Sequence, residues 1–220
     1  MRTVIWDLDG TIVNSVPLHY DAFADAFRTY DGSFVLEKRQ YLEFILGDLS
    51  NENFFKQQLP KISDRKAAEL AEKKECAFWN LMHDRRCEPL PGAIGLIQRL
   101  SDKGLDQFLV SATPRRSVEY MVSSLGLSDY LTMLETLSGS KASTFRRIIA
   151  DKDPATVVAV DDLPSGIRAA RHSGIHAIGV LAGMFWAGGE ATSRVRAGLK
   201  KGRCSRIPTF GRHFSAQALL

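Results

Sequence analysis

Thr3-Val4-Ile5-Trp6-Asp7-Leu8-Asp9-Gly10-Thr11 is a short apolar run that empties into an acidic, glycine-containing loop. The pattern reads as a buried strand ending in a tight polar turn. Similar runs recur at residues 107–110, 156–160 and 176–180, with a weaker one at 131–134. Between them, residues 91–101, 115–125, 141–150 and 164–173 carry apolar positions at helical spacing. Strands alternating with helices predict an α/β chain with a mainly parallel sheet covered on both faces.

Residues 15–86 break that rhythm. Leu18, Ala22, Phe23, Ala26, Phe27 and Tyr30 mark one amphipathic helical face, and Ala67, Leu70, Ala71, Lys74, Phe78, Leu81 and Met82 mark another. The second helix is expected to start near Ser63, with Asp64 in its first turn. Residues 35–46 and 52–58 read as two more helices. The expected organisation is a core of residues 1–14 and 87–190, an inserted helical subdomain at 15–86, and a tail at 191–220.

Composition excludes several classes. Hydrophobic content of 45%, charged content of 25% and 8 prolines in 220 residues exclude disordered, collagen-like and coiled-coil chains. The net charge of +4 is unevenly spread. Residues 1–190 hold 22 Lys and Arg against all 25 Asp and Glu, a balance of −3, whereas residues 191–220 hold 7 Lys and Arg and no acid. Any attraction to nucleic acid therefore belongs to the tail alone. Cys76, Cys87 and Cys204 are odd in number and form no CxxC pair, so neither a disulfide framework nor a zinc site is indicated, and a cytoplasmic setting is expected. The longest uncharged stretch, residues 173–189, contains five glycines and His176, which suits a buried strand and loop rather than a membrane span.

Four groups carry the chemistry. In the first, Asp7 and Asp9 stand one residue apart at a strand end: Asp7 can attack an electrophile and bind a metal, and Asp9 can exchange a proton with a leaving group. Gly10 permits the turn, and the Thr11 hydroxyl can tie it. In the second, Ser111-Ala112-Thr113 follows the strand at 107–110, where a hydroxyl can donate to a phosphoryl oxygen or cap the next helix. The third is Lys141, whose ammonium can neutralise negative charge or stay solvated. Ser138 to Lys141 also match S-x-x-K, but no S-D-N or K-T-G follows, which disfavours a serine acyl-enzyme. In the fourth, the strand at 156–160 delivers Asp161 and Asp162, which with Asp7 would make a hard oxygen site suited to Mg²⁺, one of the pair facing the metal directly.

In that order, Asp7-x-Asp9-Gly10-Thr11, Ser111, Lys141 and Asp161-Asp162 resemble the four motifs of the haloacid dehalogenase superfamily over residues 1 to about 182. The resemblance implies a Rossmann-like core and phosphoryl transfer through an aspartyl phosphate with Mg²⁺. It also implies Asp7 as nucleophile and metal ligand, and Asp9 as acid/base and metal ligand through its backbone carbonyl. Ser111, with its neighbours Ala112 and Thr113 and the Gly10-Thr11 turn, would bind the phosphoryl group. Lys141 would balance its charge, and Asp162 with Asp161 would complete the metal site. The insertion is similar to the helical cap of the phosphoglycolate phosphatase and β-phosphoglucomutase branch. There Pro17-Leu18-His19 matches a common stretch, which makes His19 a candidate substrate contact or a hydrogen-bonded hinge histidine. An acid at Asp9 sets the chain apart from the dehalogenases themselves.

Some positions depart from the pattern. Ala142 replaces a frequent proline and Leu163 a common serine, and neither removes a catalytic group. Asn51 stands near where the mutase has an arginine for a second phosphate, and residues from 183 onward do not resemble the usual closing helix and strand. The expected function is a Mg²⁺-dependent phosphatase for a small phosphorylated metabolite, of sugar phosphate or phosphoglycolate type, acting as a monomer or dimer away from membranes. The alternatives are a phosphomutase with the same residues, and an inactive or weakly active relic whose basic tail, with Phe210 and Phe214, binds nucleic acid.

Overall fold

Thr3–Trp6 forms strand β1, and all four of its residues are buried although alternate side chains point to opposite faces. Both faces of the sheet are therefore covered. The computed structural model describes residues 1–85, 87–136 and 140–181, with isolated positions 193, 196 and 197. The expectations for the basic tail, for Phe210, Phe214 and Cys204, and for Ser138 and Gly139 fall outside the described residues.

β1 lies at the centre of a five-stranded sheet and is flanked by β2 (Asp106–Ser111) and β4 (Val157–Asp161), with β3 (Met133–Thr136) and β5 (His176–Gly179) outside them. The order β3-β2-β1-β4-β5 is parallel throughout, with Trp6 in register with Leu109 on one side and Val160 on the other. After β1 the sheet grows outward to β3, and the chain then returns to the other flank of β1 for β4 and β5. The loops leaving β1 and β4 consequently diverge, which opens a crevice at the carboxyl ends of the central strands.

Apolar spacing places the helices of this core. Ala93, Leu96, Ile97 and Leu100 are the buried stripe of the helix Ala93–Asp102, and Val118, Met121 and Val122 belong to that of Arg115–Ser124. Lys141–Ile148 buries Phe145 and Ile148, while Pro164–His172 buries Ile167 and Ala170 and starts with proline, whose missing N–H costs nothing in a first turn. Inside the sheet, fully buried Gln107 accepts from the indole N–H of Trp6 at 3.0 Å and donates to Ile97 O and Tyr130 O, so all three polar neighbours are satisfied.

The chain separates into two compact units, Met1–Asn14 with Glu88–Leu220, and Ser15–Cys87. In the first unit the two segments bordering the insertion are clasped together. Val13 bridges to Pro89, the Asn14 amide donates to Glu88 O at 2.9 Å, and the Leu90 amide donates to Ile12 O at 2.7 Å.

The second unit has four helices, Val16–Tyr30, Lys38–Gly47, Asn51–Gln58 and Asp64–Arg85. Its interior is aromatic: Phe23 meets Phe54 edge-on at 5.2 Å, Phe44 stacks on Phe54 at 4.4 Å, and Phe27 packs against Phe55 at 4.7 Å. The helix expected over 35–46 begins only at Lys38, because Glu37 and Gln40 form a reciprocal capping box that sets the start. Leu36 remains outside that helix, buried, with its carbonyl accepting from the Tyr20 hydroxyl. Among the described residues no helix is long and apolar enough to cross a membrane.

Candidate active site

Three strand ends and one helix start supply the side chains. Asp7 follows the last residue of β1, is held by donation of its amide to Val160 O at 2.9 Å, and is 7% exposed. The turn beyond it folds because Gly10 adopts φ 75, a left-handed conformation that glycine takes without strain. The Ile12 and Val13 amides converge on Leu8 O, and the turn brings Thr11 Oγ1 to 3.3 Å from Asp7 Oδ2. β4 ends in Asp161, and Asp162 follows; both are buried. Asp161 Oδ1 accepts the Leu163 amide at 2.9 Å.

Lys141 opens its helix because Ser140 caps it, the Ser140 hydroxyl accepting the Ser143 amide. From there its ammonium reaches Asp7 Oδ1 at 2.7 Å and Asp161 Oδ2 at 2.5 Å. One cation thus bridges the first and fourth sequence motifs.

This cation faces an excess of buried acid. Burial pushes the Asp7 carboxyl up to about 7 against the pull of Lys141, with the charges of Asp161 and Asp9 adding to the rise. Burial likewise holds Asp162 well above the usual carboxylate range, helped by Asp7 and Asp161. For Lys141 burial acts to lower the pKa, but Asp161 and Asp7 outweigh it and keep the ammonium charged. Asp7, Asp161 and Asp162 each offer an oxygen, all within 4.8 Å of one another. Three buried carboxylates against one ammonium are a donor set and a charge imbalance that suit a hard divalent cation.

The Asp9 carboxylate is turned elsewhere. Its Oδ2 accepts from Thr113 Oγ1 at 2.7 Å and from Ser111 Oγ at 3.2 Å, and Ser111 Oγ in turn accepts the Thr113 amide at 3.0 Å. Ala112, between the two hydroxyls, is exposed. Asp7, Asp9, Thr11, Ser111, Thr113, Lys141, Asp161 and Asp162 thus come together at the carboxyl edge of the sheet.

His19 is placed in the helical unit, stacked on Phe78 with ring centroids 3.8 Å apart. Lys74 Nζ lies 3.0 Å from His19 Nδ1 and 3.0 Å from Glu75 Oε1, the latter also accepting from Asn51 Nδ2 at 2.9 Å. Lys74 is 3% exposed. An ammonium has only protons to offer, which makes His19 Nδ1 the acceptor of this contact when Lys74 is charged. No sequence motif joins His19 and Asn51 to Lys74 and Glu75. The cluster's signal is a lysine placed on the apolar stripe between Leu70 and Phe78.

The family profile described as haloacid dehalogenase-like hydrolase matches residues 4–180. The chain belongs to this family. This haloacid dehalogenase-like hydrolase is 22% identical over 198 residues to a phosphorylated carbohydrates phosphatase of Thermotoga maritima, covering 81% of this chain and 84% of that one. It is 25% identical over 184 residues to a phosphoglycolate phosphatase of Synechococcus elongatus, covering 82% and 84%. With the β-phosphoglucomutase of Bacillus subtilis it shares 24% over 203 residues, covering 88% and 89%. Among solved structures, a haloacid dehalogenase-like family hydrolase from Streptococcus pneumoniae superposes with a TM-score of 0.76 at 18% identity, covering 96% of this chain and 94% of that one. That likeness bears out the Rossmann-like α/β fold, and the phosphatases among the relatives bear out the enzyme class read from the motifs.

Proposed function

We propose that this hydrolase is a Mg²⁺-dependent phosphatase that cleaves a small phosphorylated metabolite, of sugar phosphate or phosphoglycolate type, through an aspartyl phosphate on Asp7. The observation that carries the reading is the Lys141 ammonium bridging Asp7 and Asp161, with the Asp9 carboxylate on the same turn. The names of the Thermotoga and Synechococcus relatives support the substrate class.

In the first step a carboxylate oxygen of Asp7 attacks phosphorus, the bond from phosphorus to the leaving oxygen breaks, and protonated Asp9 gives that oxygen its proton. In the second, water attacks the phosphorus of the acyl phosphate, Asp9 takes its proton, and the aspartyl bond breaks to release inorganic phosphate and free Asp7. Lys141 holds the nucleophile and balances charge, and the Ser111 hydroxyl receives a phosphoryl oxygen. Mg²⁺, held by Asp7, Asp161 and Asp162 and by the Asp9 carbonyl, would supply charge neutralisation for the transferring group. His19 and the helical unit are assigned to substrate selection.

Hydrolysis is preferred to mutase chemistry because Asn51 brings no cation for a second phosphate. Asp7→Asn should abolish turnover of 4-nitrophenyl phosphate and of whichever member of a phosphorylated-metabolite panel is cleaved with Mg²⁺, with an unchanged circular dichroism spectrum. Full activity in that variant would refute the reading.

A further inference from the structure

We infer that Thr113 is a positioning residue for Asp9, rather than a contact for the phosphoryl group, and that it keeps the acid/base in place when substrate takes over Ser111. The inference rests on the phosphatase reading and extends it. It comes from counting protons: a serine or threonine hydroxyl has one to donate. In the structure both protons go to a single oxygen, Asp9 Oδ2, from Ser111 Oγ at 3.2 Å and Thr113 Oγ1 at 2.7 Å. Ser111 Oγ also accepts the Thr113 amide at 3.0 Å, so its orientation is fixed and its proton is the part left to exchange.

A phosphoryl oxygen arriving at Ser111 takes that proton away from Asp9. Thr113 then provides the other hydroxyl bond, already the shorter of the two, from a residue 5% exposed. Substrate binding thereby takes one hydroxyl from Asp9 while the other keeps its hold. A carboxylate that must first give a proton and later take one has to stay oriented through both steps, and the Thr113 hydroxyl can do this without competing for the phosphoryl group.

Thr113→Val removes the proton and keeps the shape, and Thr113→Ser restores it. The readout is kcat/KM on two substrates that share the phosphoryl group but differ in leaving group. An alkyl phosphate needs its leaving oxygen protonated, whereas 4-nitrophenyl phosphate needs this far less. In Thr113→Val, kcat/KM for the alkyl phosphate should fall at least about tenfold further than for 4-nitrophenyl phosphate. The inhibition constant of inorganic phosphate should stay within about twofold, and Thr113→Ser should regain most of the loss. A parallel fall on both substrates, or a weakened inhibition constant, makes Thr113 a phosphoryl contact or a purely structural residue and overturns this inference alone. Wild-type protein that turns over neither phosphate overturns the phosphatase reading and this inference with it.

Discussion

At Gly166 the chain has room for nothing larger than hydrogen. A Cβ there would stand 1.9 Å from Asp161 Oδ2 and 2.1 Å from its Cγ, so any side chain would push that carboxylate off its place beside Lys141. The atoms met belong to a side chain and not to the backbone, so the fold should survive while the carboxylate cluster is disturbed. Gly166→Ala is expected to keep the native circular dichroism spectrum and to lower Mg²⁺ affinity by about tenfold or more, read by calorimetric titration of the protein alone. Unchanged affinity would show that Asp161 does not need its present rotamer. The same residues mark how far a sequence can be read. Asp7, Asp161 and Asp162 are legible because they end apolar strand runs, and Lys141 because it opens a helical pattern just after Ser140. The direction of the Asp9 carboxylate is not, since a rotamer is chosen by hydroxyls more than a hundred positions away. The burial of Lys74 also escapes a motif search, because a lysine on an apolar stripe is ordinarily expected to extend to water.

Among the elements, the strands are readable from their apolar runs, the edge strand β5 included, and only the edge strand β3 is displaced. β1 and β4 are buried on both faces, which leaves an unbroken apolar run in the sequence. β3 starts at Met133, two residues after the run at 131–134 begins, because Thr132 spends its amide and hydroxyl on Gln107 O at the approach to the sheet. The helical unit rests on its aromatic interior, with Phe23 fully buried and touching Tyr41, Phe44, Phe54 and Phe55. Phe23→Ala should cost about 3–5 kcal/mol through the lost burial and the cavity left behind. Hydrogen exchange read by mass spectrometry should show protection lost in peptides from Val16–Tyr30 and Asn51–Gln58, with β1 and β4 keeping theirs. An equal loss in β1 would mean that the two compact units unfold as one.

For the molecule as a whole, the acid cluster ties stability to pH. The Asp7 carboxyl titrates at about 7 in the folded chain and at its ordinary 3.8 when unfolded, so the folded state holds its proton more tightly between those values. The stabilisation is complete below the lower value and is lost as pH rises through the upper one. In the presence of chelator the melting temperature is therefore expected to fall between about pH 5 and about pH 8, with Mg²⁺ removing most of the fall and Asp7→Asn reducing it, since buried Asp162 is raised as well. A chelated wild type with the same melting temperature at both ends would contradict this. Global charge hid the effect: the +4 of the chain says nothing of the carboxylates packed at one edge of its sheet.

The clasp of Val13 with Pro89, and of Asn14 with Glu88, gives the core a socket. The two segments that bracket the helical unit already meet side by side within the core, so the chain leaves and re-enters it at one place, beyond the end of β1. On the proposed reading, reaction machinery and choice of substrate then fall to separate parts of the chain. The first is held by the sheet, and the second could be lengthened or exchanged while Asp7 stays where β1 leaves it.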